Sequence, residues 1–341
     1  MRDEQLDIYR GLTMIYILCI GHGLYWLRNA REPVLTIILF VIPIVFFIAG
    51  AAVSLRKSKR GLWTTVLNRI NRVAIPYYIY AIIMVAIGLL ATLFLKGTDY
   101  FRFMPFDISD YGWREVKDIL LFQKIINCPF AAHIWFVPLY LVLSCTFPLQ
   151  EKLMKVINKH VYILICILLF LAAQAFTDLS FLRELLCYNI FMVAGFLYYR
   201  KIKAWMVALV ALAAASALAI YMFAFGGQIC PMQGHKFPPD WIYPTYSMMV
   251  LCLISLVLWR VKLPSNRILQ IWNRRGYTMY LYQNIVFWIV VLLHQEGVIN
   301  LPLSPIRTLL DSLLIFVLAT ALSFLTDPME QYVLRKLRLT K

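Results

Sequence analysis

The sequence predicts an all-α fold: a polytopic membrane bundle of about ten transmembrane helices, with both termini in the cytoplasm. Three observations predict it. Of 341 residues, 62% are hydrophobic and 15% charged, and the mean hydropathy is +0.74, more apolar surface than a soluble domain of this size can use. Runs of about 20 apolar residues, the length that crosses a bilayer core, recur along the chain. Lysine and arginine concentrate in alternate connecting loops, which sets an orientation. The net charge of +16 is thereby assigned to orientation and lipid headgroups, and no nucleic-acid partner is expected. The length fits a single membrane domain over residues 1–341, with no room for a large soluble one.

Ten spans are predicted, at 8–27, 34–55, 73–95, 133–150, 160–177, 181–199, 203–225, 243–259, 277–294 and 306–325. The first is read as retained rather than cleaved. Its first ten residues hold three acids and two arginines, and Leu24-Tyr25-Trp26 stands where cleavage needs small residues. Of the 33 lysines and arginines, 21 fall in loops 56–72, 151–160, 200–203 and 260–275 and in the C-terminal tail. The intervening loops hold 10, and Arg2 and Arg10 precede the first span. The long loop 96–132 balances five bases with five acids, as an outer segment does. On this topology His22, His133, His235 and His294 fall toward the outer face and only His160 toward the inner one. Of seven cysteines, five lie inside spans as small hydrophobes, and Cys128 and Cys230 lie in loops where they could pair.

Candidate chemistry begins in the first span. Between Gly11 and Gly21 every residue except Thr13 is apolar or aromatic. Ionisable groups in such a span cost at least ~2–3 kcal/mol to bury and usually mark a working site. Arg10 and His22 are 12 positions apart, about 18 Å along a helix, so one lies near each face. His22 sits between Gly21 and Gly23, which leave the backbone open to close approach, and a neutral imidazole can take a proton from a hydroxyl. Asp7 lies three residues before Arg10 and can pair with it on one helix face.

Arg69 and Arg72, at i and i+3 just before Pro76, share a helix face and can grip one anionic group. Positive-inside charge explains the same pair. Trp135 suits an interface anchor or a sugar platform, and the loop around Lys236 carries two prolines and two aromatics. Asp311 lies four residues after Arg307, either as an interfacial ion pair or to orient an outer histidine. No histidine spacing matches a metal motif, and no metal is expected.

These residues carry a resemblance. The pattern Leu6-Asp7-Ile8-Tyr9-Arg10-Gly11, an apolar run, then Gly21-His22 resembles the opening of acyltransferase family 3. These are bacterial integral-membrane proteins that acylate sugars, mostly O-acetylating polysaccharides. Arg69-Ile70-Asn71-Arg72 resembles the family's R-x-x-R. Weaker matches are Phe46-Phe47-Ile48-Ala49-Gly50, with Ala49 where serine is usual, and His133-Ile134-Trp135-Phe136-Val137. Gly276 to Gln283 resembles a late segment, with Gln283 in place of histidine. The resemblance implies that His22 is the catalytic residue, that Arg69 and Arg72 serve the acyl donor, and that Arg10 has a structural or donor-binding role.

The expected protein is therefore a multi-pass acyltransferase of the bacterial inner membrane. It moves acetyl, or another acyl group such as succinyl, from cytoplasmic acyl-CoA to a sugar hydroxyl of a cell-surface or lipid-linked glycan. His133, Trp135, Lys236 and Asp311 are candidate acceptor contacts, and membrane lipids surround the bundle. A transporter or flippase is the alternative reading, because Gln283 and Asn284 fall mid-span. A non-catalytic scaffold is the third, and it leaves His22 unexplained.

Overall fold

The computed structural model describes residues 3–56, 62–98, 112–121, 133–176, 178–258 and 261–336. All regular structure among them is helical. The chain opens with α1 (Glu4–Ile15), a π-helical segment (Tyr16–His22) and α2 (Gly23–Trp26), then α3 (Val34–Ile38) and α4 (Val41–Ser54). There follow α5 (Leu62–Leu95), α6 (Trp113–Leu120), α7 (Phe136–Val156), α8 (Lys159–Ala173) and α9 (Ser180–Tyr198). The chain ends with α10 (Ala204–Ala224), α11 (Met232–Lys236), α12 (Ile242–Leu258), α13 (Arg267–Gln295) and α14 (Pro305–Lys336).

Among the described residues six stretches are long and apolar enough to cross a membrane: Val34–Ser54, Trp63–Leu95, Ser180–Tyr198, Ala204–Ala224, Arg267–Gln295 and Pro305–Lys336. The other four predicted spans also fall on helix: the α1–α2 rod, α7, and the shorter apolar α8 and α12. Burial is arranged for lipid rather than water. Leu164, Leu168, Leu209, Leu212, Leu309 and Leu313 are exposed, while Asn189, Ser247, Gln283, Asn284 and Glu330 are buried. A soluble monomer does not expose so many large apolar residues along whole helices.

The chain divides into two compact units, Met1–Lys59 with Leu149–Arg274, and Arg60–Pro148 with Arg275–Lys341. The first is built on α4 and α9. α4 is apolar on every side and mostly buried, as a central helix must be. The two helices meet at glycines. A Cβ on Gly50 would lie 1.8 Å from the Met192 carbonyl oxygen, and one on Gly195 would lie 1.9 Å from that of Phe47. Only missing side chains let the two backbones come this close, the device membrane helices use to associate without a hydrophobic drive.

α3 and α4 form one rod with a break at Leu39 and Phe40. Pro43 explains it: lacking an N–H, it cannot bond the carbonyl four residues back, which is Leu39. The carbonyls freed at the break find tyrosines. Tyr246 donates to Ile37 O at 2.9 Å, Tyr16 to Ile38 O at 3.2 Å, and Tyr243 to Leu39 O at 3.4 Å. In hydrocarbon each would otherwise stay unpaired at a cost of several kcal/mol.

One end of this unit gathers the start of α1 and the ends of α9 and α12. Asp3 caps α1 by accepting from Gln5 N and Leu6 N, and it accepts from Tyr199 at 3.2 Å. Tyr9 donates to Leu258 O at 2.9 Å. The other end holds His22, Glu32, α3 and α11, where Met232 N donates to the Thr36 hydroxyl at 3.0 Å.

The second unit is carried by α5, α13 and α14. Tyr277 donates to Val73 O at 3.2 Å. Arg275 pairs with Asp327 at 2.9 Å and Thr278 donates to Glu330 at 2.8 Å, tying α13 to α14. Tyr77 and Tyr78 satisfy the last carbonyls of α6, Ile119 and Leu120.

Candidate active site

His22 closes the π segment of the first rod, half-buried, with its ring centroid 6.1 Å from that of Trp26. The i→i+5 winding under-rotates the chain, so His22 leaves the face that a 3.6-residue period from Arg10 would give it. Such segments are frequent at functional sites. At Gly21 no other helix comes close among the described residues, and an added Cβ would meet only Tyr16 of the same rod, at 3.6 Å. A tight helix contact falls at Gly11, where a Cβ would lie 2.7 Å from Leu269 O. Space beside His22 is thus not taken up by a neighbouring backbone at Gly21. At the start of the same rod Arg10 and Asp7 form the expected i,i+3 pair, 3.6 Å apart.

Lys236 is not a loop residue in water. It ends α11, is 6% exposed, and carries its amine 4.8 Å over the Phe237 ring. Burial lowers its pKa to about 8, and the charge of Glu184 on α9 opposes the shift. The loop around it is clamped. Arg183 donates to Gln174 Oε1 at 2.7 Å and to Pro239 O at 3.2 Å. His235 Nδ1 lies 2.6 Å from Asp240, whose other oxygen caps α12 by accepting from Ile242 N. This places Lys236 at the same end of the first unit as His22.

Sequence reasoning missed Glu32. It accepts from Thr36 at 2.5 Å and from the Cys230 thiol at 3.1 Å. What burial it has raises its pKa, but these hydrogen bonds win and hold it below the usual carboxylate range. Cys230 is thus a free thiol used as a donor. Its expected candidate partner, Cys128, lies outside the described residues.

In the second unit Arg69 and Arg72 share α5, half-buried and exposed respectively. The sequence puts His133 at the outer end of a span, and the structure corrects this. His133 is 2% exposed and packs beside Tyr80 and Tyr280, about midway along α5 and α13. Its Nε2 lies 3.1 Å from Leu281 O, and its Nδ1 lies 2.7 Å from Asn284 Nδ2. Both ring nitrogens are thus engaged by protein groups. The Tyr280 hydroxyl donates to the His133 carbonyl. The polar signal was legible in Asn284, but its partner stands 151 residues away in sequence. Trp135 is half-buried next to Phe136. Asp311 is 1% exposed and holds His294 Nε2 at 2.9 Å, with Arg307 at 3.6 Å. The two readings of Asp311, ion pair and histidine partner, are both realised.

Among the described residues no group of three or more His, Cys, Asp or Glu side chains could hold a metal ion. The lipid-facing helices and the polar residues held inside them define a multi-pass helical membrane protein. Residues 3–327 match the family model described as "Acyltransferase domain", and the chain belongs to that acyltransferase family. A comparison with curated proteins finds no match, and neither does one with solved structures.

Proposed function

We propose that this membrane acyltransferase moves an acetyl group from cytoplasmic acetyl-CoA to a hydroxyl of a cell-surface or lipid-linked glycan. We assign it to the bacterial cytoplasmic membrane, with His22 as its general base. The observation that carries the reading is His22 itself. An ionisable ring ends an otherwise apolar π segment, within a chain whose family match runs over nearly its whole length.

A sugar hydroxyl attacks a thioester poorly while it keeps its proton. His22 takes that proton as the C–O bond forms and the C–S bond breaks, and the imidazolium then protonates the departing CoA thiolate. A positioned base contributes about 10²–10⁴-fold. The donor carries several phosphates, and Arg69, Arg72 and Arg10 are the cations assigned to it. Lys236 and Trp135 are assigned to the acceptor.

Two measurements test this. His22→Ala should abolish transfer of radiolabelled acetyl from acetyl-CoA to polysaccharide while donor binding persists. Full activity in that variant would overturn the assignment. Changing Arg69 and Arg72 together to Ala should weaken acetyl-CoA binding at least ten-fold, and salt should weaken it in the wild type, because exposed charges are screened over about 8–10 Å. An unchanged affinity in a folded double variant returns both arginines to membrane orientation alone.

A further inference from the structure

The first unit contains a cavity of about 210 Å³ beside the rod that bears His22, walled by α1, the start of the π segment, α4, α12 and Tyr199. Among the described residues no charged side chain lines it. Four wall hydroxyls are already committed to protein acceptors. Tyr9 donates to Leu258 O at 2.9 Å, Thr13 to Tyr9 O at 2.7 Å, Tyr16 to Ile38 O at 3.2 Å and Tyr199 to Asp3 at 3.2 Å. The remaining wall is aliphatic or aromatic apart from Ser255.

A sugar, a nucleotide or a pantetheine amide entering this space would give up water and find few partners. A hydrocarbon chain gives up nothing and gains from burial. The geometry points to a binding site for a single alkyl chain. An apolar cavity of about 150 Å³ holds a six-carbon ring, so this one takes roughly eight carbons. Its position fits a substrate chain. Tyr16 and Phe40 line it side by side, their ring centroids 5.2 Å apart, and Tyr16 is also the first residue of the π segment. His22 stands six residues on, somewhat less than the roughly 9 Å that six α-helical residues span. A chain with its head past Tyr16 brings the group it carries to the level of His22.

Two substrates could own such a chain: a donor whose acyl group is longer than acetyl, or an acceptor with a lipid anchor. Only the naming of these sources rests on the transfer reading above. The shared chemistry is the alkyl chain, and two series of probes separate the sources. One runs from acetyl- to decanoyl-CoA and the other from ethyl to decyl β-glucoside. Each is measured as equilibrium binding to the protein in phospholipid nanodiscs, with empty discs as the blank.

In one series affinity should rise about four-fold per methylene and level off near eight carbons. Ile254→Trp and Ser255→Leu, which fill the cavity from α12, should flatten the rise while leaving the shortest probe unaffected. The series that shows the plateau names the source. A rise with no plateau, or one that both filling variants retain, is partition into the lipid and overturns the site. So do flat series on both arms, a result the wild type gives without any variant. Flat series with acetyl-CoA still bound remove the cavity proposal and keep acetyl transfer. A plateau confined to the glucosides, with no acyl-CoA bound at all, keeps the cavity and removes acetyl transfer.

Discussion

Lys236 shows how far a single residue can stand from its appearance in sequence. Just ahead of two prolines and two aromatics it reads as an outer-loop residue, yet it ends α11 buried, with its amine over the Phe237 ring and within the field of Glu184 on α9. Its folded pKa of about 8 lies below the ordinary 10.5, because burial disfavours the charged amine. The sign follows from proton counting. Between those two values the unfolded chain holds a proton that the folded chain has released, so the free energy of unfolding rises with pH there. The thermal midpoint of the wild type relative to Lys236→Met should therefore climb between about pH 8 and 10.5. A flat difference would mean that the amine is solvated after all. His22 and His133 make a related contrast. Both read alike as span histidines, but one has both nitrogens bound to protein groups at mid-helix, and the other ends a π segment beside Trp26.

At the scale of the helix, the apolar runs locate every long element, because length and composition alone decide what crosses hydrocarbon. The interruptions are unequally legible. Pro43 announces the break at Leu39, four residues before it. Nothing between Tyr16 and His22 announces a π segment, since no proline or misplaced polar residue marks a change of winding. The candidate site is legible to the same degree: His22, Arg69 and Arg72 stand out by charge in apolar surroundings, whereas Glu32 with Cys230 and His133 with Asn284 exist only once distant helices meet. Gly50 belongs to a weakly matching motif, and the structure supplies its reason in Gly195. Gly50→Ala or Gly195→Ala must drive α4 and α9 apart, because the new methyl would fall on backbone atoms that cannot rotate away. The cost should reach at least the ~1–3 kcal/mol of ordinary overpacking. Gly21→Ala, where the same methyl finds ordinary contact, should leave the melting temperature within a degree or two. Equal tolerance at Gly50 and Gly21 in a thermal melt would refute the glycine crossing.

At the scale of the whole molecule the open quantity is orientation, and charge argues it. Lysine and arginine divide 21 to 10 between alternate loops, and loops rich in them stay in the cytoplasm because translocating them is disfavoured. That bias puts loop 260–275 inside and the turn between α13 and α14 outside. Under the proposed function, this orientation would give a cytoplasmic donor access to Arg10 at the start of the first rod and leave His22, 12 positions on, toward an exported acceptor. Ser265 and Asn300 are exposed in those two connections, so each can be changed to cysteine without touching a core. In intact cells a membrane-impermeant maleimide should label Asn300→Cys above the wild-type background and leave Ser265→Cys unlabelled until the membrane is opened. The reverse pattern would invert the bundle. His22 would then face the compartment that makes the donor, and an exported acceptor could no longer reach it from outside.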